Sequence, residues 1–169
     1  MTTAELIGGI LLRDLAAVRR EIAAYERDSD IWLMDPAIPN SAGTLALHLA
    51  GNLRHYIGRV LGGSDYVRDR DAEFSARDLA RAEVFERLDA ARDDIARVMP
   101  ALTEAQLAVT YPEPAGGRRV STADMLMHLA VHLTYHLGQI DYHRRLLGRS
   151  TRPVGAVALA ELRSATPAA

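Results

Sequence analysis

The sequence predicts an all-α protein, an up-and-down four-helix bundle. Three observations carry this: four long segments repeat apolar residues at helical spacing, no stretch alternates like a strand over a useful length, and no internal repeat divides the chain. At 169 residues the chain is read as one domain, residues 1–169, with a core over about residues 3–148 and a tail over 149–169.

The first helix is expected over Thr3 to Arg27, with Leu6, Ile10, Leu15, Val18 and Ile22 near one face. A turn-rich stretch follows from Asp28 to Ser41 and contains Pro36 and Pro39. The second helix begins near Ser41 or Thr44 and runs to Leu61, where Gly62 and Gly63 stop it. Its stripe is Leu45, Leu49, Leu53, Tyr56, Ile57 and Val60. Ser64 to Phe74 mixes Asp65, Arg68, Asp69, Arg70, Asp71 and Glu73, and mixed charge of this kind reads as a solvated loop or helix cap.

The third helix spans Ala76 to Met99, turning Leu79, Val84, Leu88, Ile95 and Val98 inward, and Pro100 ends it. A long connection, Ala101 to Val120, is expected to lie over one end of the bundle. The fourth helix takes Ser121 or Thr122 as its N-cap, carries Asp124 in its first turn and ends at Gly148. The tail holds a weakly apolar piece, Val154 to Leu162, before an end that frays.

Composition narrows the chemistry. Apolar residues make up 49% and charged residues 25%, the profile of a soluble globular chain, and a net charge of −2 gives no general attraction to nucleic acid or membranes. The arginines are scattered and balanced by acids, so no nucleic-acid stripe appears. All 20 basic residues are arginine, which removes lysine Schiff bases and the P-loop. Cysteine is absent, so disulfides, thiolate metal sites and a cysteine nucleophile are excluded. The apolar run Leu6 to Leu12 lacks a basic leader and meets Arg13 and Asp14 at once. It is neither a secretory signal nor a membrane span, and a cytoplasmic location is the default expectation.

The fourth helix carries four of the six histidines, at positions 128, 132, 136 and 143. A helix turns about 100° per residue, so with Met125 as origin His132, His136 and His143 fall within about 20° of one line. Leu129, Leu133, Ile140 and Leu147 lie about 40 to 80° from it, while Asp141 and Arg145 point away. A buried imidazole needs a hydrogen bond or a bound partner. The alternative for any one of them is a hydrogen-bonded core residue. The i, i+4 pair His132 and His136 aims two rings at one point, and the inferred partner is a divalent metal ion: zinc, nickel or iron. His128, His143 and Tyr135 are read as supporting or interface groups. Leu133 stands where a His-Glu-x-x-His motif has its glutamate, so the general base of a zincin protease is missing.

A third ligand must come from a neighbouring helix, and the second helix offers His48 and His55 beside Asn52. If the second and fourth helices run parallel, depth counted from the caps favours His55.

Two stretches resemble the DinB-like superfamily of small four-helix proteins: His48-Leu-Ala-Gly-Asn-Leu-Arg-His-Tyr-Ile57 and His132-Leu-Thr-Tyr-His-Leu-Gly-Gln-Ile140. The similarity covers about Leu6 to Gly148. It implies one divalent metal held by His48, His132 and His136, overruling the depth argument for His55. The family often has a further histidine just before the His136 position, where this chain has Tyr135; that change concerns the pocket, not the ligands. The resemblance also implies transferases and isomerases that use a low-molecular-weight thiol such as mycothiol or bacillithiol, and homodimers.

Three protein ligands leave coordination positions open, the mark of a catalytic site. The expected function is a metal-dependent enzyme that activates a thiol or water for a small-molecule substrate. Tyr135, Asn52 and His55 are candidates for a general base. The alternative is a non-catalytic helical binding or stress-related protein whose metal site is structural or vestigial.

Overall fold

The computed structural model describes residues 1–168 and is helical, with no strand among the described residues. Six α-helices are present: α1 (Thr3–Ala23), α2 (Ala42–Leu53), α3 (Arg70–Ser75), α4 (Arg81–Val98), α5 (Glu104–Ala108) and α6 (Thr122–Leu146). The long ones begin where side chains meet free backbone N–H groups. Thr2 accepts from Glu5 N, Ser41 from Thr44 N and Ser121 from Asp124 N, each at 3.0–3.2 Å. No helix among the described residues is long and apolar enough to cross a membrane.

One core joins all four long helices, from Leu11, Leu15 and Val18 on α1 to Leu126, Leu133 and Ile140 on α6. Around it α1 packs mainly on α6 and α4, and α2 on α4 and α6, which leaves α1 and α2 diagonally opposed. Contacts give the directions. Asp14 meets Thr134 and Glu21 meets Arg144, so α1 and α6 are parallel. Arg54 approaches Asp94 while Gly62 meets Arg97 and Val98, so α2 and α4 are parallel. Gly8 touches Met99, Arg19 pairs with Asp89 and Arg81 reaches Ala23, which makes α1 and α4 antiparallel. The bundle therefore runs up, down, down, up. Simple up-and-down alternation, the expectation from the sequence, is replaced because α2 and α4 are joined by a crossover over residues 63–80 that carries the chain back along the bundle.

Other boundaries also moved. Helix α1 stops at Ala23, where Ala24 N–H bonds Arg20 O and Glu21 O, and a 3-10 turn occupies Asp28–Trp32. Helix α4 starts five residues later than expected, after Asp78 takes a left-handed φ of 59°. Helix α2 continues as a π-helix over Arg54–Leu61, with wider turns that rotate its side chains away from the expected wheel. The 101–120 connection contains α5 and is anchored by buried Tyr111, whose hydroxyl donates to Tyr56 O at 2.6 Å.

Candidate metal centre

Antiparallel packing of α2 and α6 decides which histidines meet. Leu45 lies opposite His143, His48 opposite His132, and Asn52 opposite His128 and Met125. The Nε2 atoms of His48 and His132 are 3.3 Å apart, and those of His132 and His136 are 3.1 Å apart. One ligand atom from each of the three lies within 4.8 Å of the others. Imidazole nitrogens bound about 2.0–2.1 Å from one cation stand about 2.9–3.4 Å apart in octahedral or tetrahedral arrangement, so the spacing fits.

The protons fit as well. His136 Nδ1 faces the Gln139 Oε1 carbonyl at 2.6 Å and donates to it, which leaves Nε2 as a bare lone pair. His48 Nδ1 lies 3.2 Å from both Glu73 Oε2, which only accepts, and Arg68 Nη2, which only donates. His132 Nε2 faces the Nε2 atoms of both neighbours and carries at most one proton to give. A cation at the centre satisfies all three.

Electrostatics keep His132 and His136 neutral. Burial, then the neighbouring His136, His48, His128 and Arg68, push His132 down to about 4. Burial lowers His136 also, with the Gln139 hydrogen bond acting against it and His48 adding to it. For Glu73, burial alone would raise the carboxyl, but the hydrogen bonds from Arg68 and His48 and the Arg68 charge outweigh it and hold it below the ordinary range.

The other residues singled out in the sequence lie elsewhere. His55 turns toward the 101–120 connection and pairs with Glu113 at 3.0 Å, outside the trio. The depth argument favoured it only for parallel helices, and α2 and α6 are antiparallel. His143 is buried and spoken for: Nε2 donates to Leu33 O at 2.9 Å and Nδ1 accepts from the Tyr25 hydroxyl at 2.6 Å. His128 is exposed and stacks on His132 at 6.0 Å between centroids, and Tyr135 is exposed with its ring 5.3 Å from that of His136.

Glu73 and Arg68 escaped sequence reasoning because they sit in a stretch that reads as solvated. Glu73 is 6% exposed, and Arg68 Nε and Nη2 each reach one of its oxygens at 2.8 Å. Gly51 was the available signal. A glycine on the buried side of a helix marks a close approach, and a Cβ there would stand 1.9 Å from Glu73 Oε1.

A cleft of about 520 Å³ opens one turn from the trio, bordered by Asn52, Tyr56, Arg118, Val120, Met125 and His128. Asn52 is buried and its Oδ1 has no partner. The 101–120 connection supplies one wall of this cleft.

An all-α bundle with a three-histidine group between two antiparallel helices defines the class. The family description that matches residues 11–140 is the DinB superfamily, and the chain belongs to it. No curated protein matches the chain.

Proposed function

We propose that the protein is a divalent-metal-dependent enzyme, cytoplasmic and acting on a small-molecule substrate, whose ion is held by His48, His132 and His136. The observation that carries this reading is the convergence of three imidazole Nε2 atoms, with the His136 Nε2 lone pair set free by the Gln139 hydrogen bond behind it. A cation bound there supplies Lewis acidity that lowers the pKa of a thiol or water brought to it. The protein's own part is to hold the rings, to shelter one side with the 101–120 connection, and to offer the cleft beside Asn52 to the substrate. Family resemblance favours a low-molecular-weight thiol and transfer or isomerisation; hydrolysis is the variant with water.

Metal analysis of purified protein tests the reading. One equivalent of a divalent ion in the wild type, lost in both His132→Ala and His136→Ala with helical content retained, supports it. Metal-free native protein that takes up none on titration sinks it.

We also infer a homodimer paired through the outer face of α6. Met127, Val131, Tyr135 and Tyr142 stand exposed there on one stripe, with Asp124 near one end and Arg145 near the other, so an antiparallel copy would set unlike charges opposite. Sedimentation should give a dimer that Val131→Arg converts to monomer; a monomeric wild type at high concentration ends the idea.

A further inference from the structure

We propose that Glu73, carried by the crossover between α2 and α4, is a positioning residue that fixes His48 in the tautomer turning a bare Nε2 toward His132 and His136. Its consequence for metal rests on the reading above; its geometry does not.

A neutral imidazole has one ring proton, on Nδ1 or on Nε2. Two groups compete to place it in His48. Glu73 Oε2, 3.2 Å from Nδ1, accepts only and asks for the proton there. Arg68 Nη2, also 3.2 Å from Nδ1, donates only and asks for a lone pair there. The carboxylate decides the contest: Oε2 faces Nδ1 with a localised negative charge, whereas Arg68 spreads its charge over the guanidinium and has Nε–H and one of the two Nη2 hydrogens committed to the Glu73 oxygens at 2.8 Å each. Nδ1–H then donates to Glu73, and Nε2 is left bare. Without the carboxylate, the guanidinium N–H turns to Nδ1 and the proton moves to Nε2, the atom a metal needs free.

The rest of the fold holds this contact in place. Gly51 on α2 is the notch that admits the carboxylate, since an added Cβ would collide with Oε1. Phe74, the next residue, packs its ring on His48 with centroids 4.9 Å apart, so α3 grips the imidazole by edge and face. His136 has only a neutral amide, Gln139, in the corresponding place. Among the described residues, Glu73 is therefore the one carboxylate hydrogen-bonded behind the trio.

The test uses the full chain with ¹⁵N-labelled histidine, metal-free, reading the His48 tautomer from long-range proton–nitrogen correlations, followed by titration with Zn²⁺. Wild type should show Nδ1–H. In Glu73→Gln, of equal size, the side-chain oxygen turns to Arg68 and the NH₂ to Nδ1, so His48 should show Nε2–H and Zn²⁺ affinity should fall 10- to 100-fold. Adding Arg68→Ala frees the amide oxygen for Nδ1 and should restore Nδ1–H and most of the affinity. Gly51→Ala, which displaces the carboxylate without removing it, should move both readouts as Glu73→Gln does. An unchanged tautomer in Glu73→Gln, or a double variant no better than the single one, overturns the proposal. If the tautomer switches while wild type takes up no Zn²⁺, the positioning stands and the metal reading falls.

Discussion

Two sets of histidines share one stripe of α6 and do opposite things. His143 is enclosed between Tyr25 and Leu33, and both its nitrogens are satisfied by the protein, one as donor and one as acceptor. His132 and His136, about three and two turns earlier, have their outward nitrogens directed at each other and at His48. The same residue type at the same angle on a helix is tied off by the fold in one place and turned toward other imidazoles in the other. What separates them is the neighbouring segment: residues 25–33, which follow α1, bring a hydroxyl and a carbonyl, whereas α2 brings another imidazole.

Substitutions should break the two sets in different ways. The largest effect is expected for His132→Ala, the central ring: stoichiometric metal binding is lost, while the melting temperature of the metal-free protein changes little. A variant that keeps wild-type affinity on titration would remove His132 from the centre. His143→Ala should do the reverse, costing about 2–4 kcal/mol of unfolding free energy through a cavity and two orphaned polar partners, with metal stoichiometry intact. Urea unfolding with parallel metal analysis reads both, and loss of metal would join the sites the geometry keeps apart. Tyr25→Phe sharpens the contrast at lower cost, about 1–2 kcal/mol, because it strips the donor from His143 Nδ1 and leaves the ring in place.

The mildest test is acid. Burial keeps His132, His136 and His143 all below their ordinary value, His132 at about 4, so the unfolded chain binds more protons than the fold as pH drops. This contribution to stability is complete above about pH 6.5 and is lost as pH falls toward 4. Urea midpoints of metal-free protein should decline across that interval, with a shallower slope in His132→Asn; a midpoint that rises on acidification contradicts the neutral-ring assignment.

Much of this was legible in the chain. Helical period alone put His132 and His136 on one inward line, and the apolar stripes gave the four long helices. The choice between His48 and His55 was not legible without the resemblance, because it turns on helix direction. Direction is set by a crossover whose charged residues look like solvent-exposed loop. Glu73 was hidden for the same reason: its burial comes from Gly51 and Arg68 meeting it in three dimensions, and charge density in one dimension points the other way. His55 lies on the π-helix and meets Glu113 from 58 residues away, a contact that helical period along the chain does not read.

The ring nitrogens come from residues 48, 132 and 136, so α2 and α6 must both be made and docked before they can share a cation. An ion seated there would clasp α2 to α6 and would have no equivalent grip on a loose chain. Its free concentration would then add to the unfolding free energy of the finished bundle, rising with the logarithm of supply. Cellular abundance of the protein would follow metal availability even where no turnover is being measured.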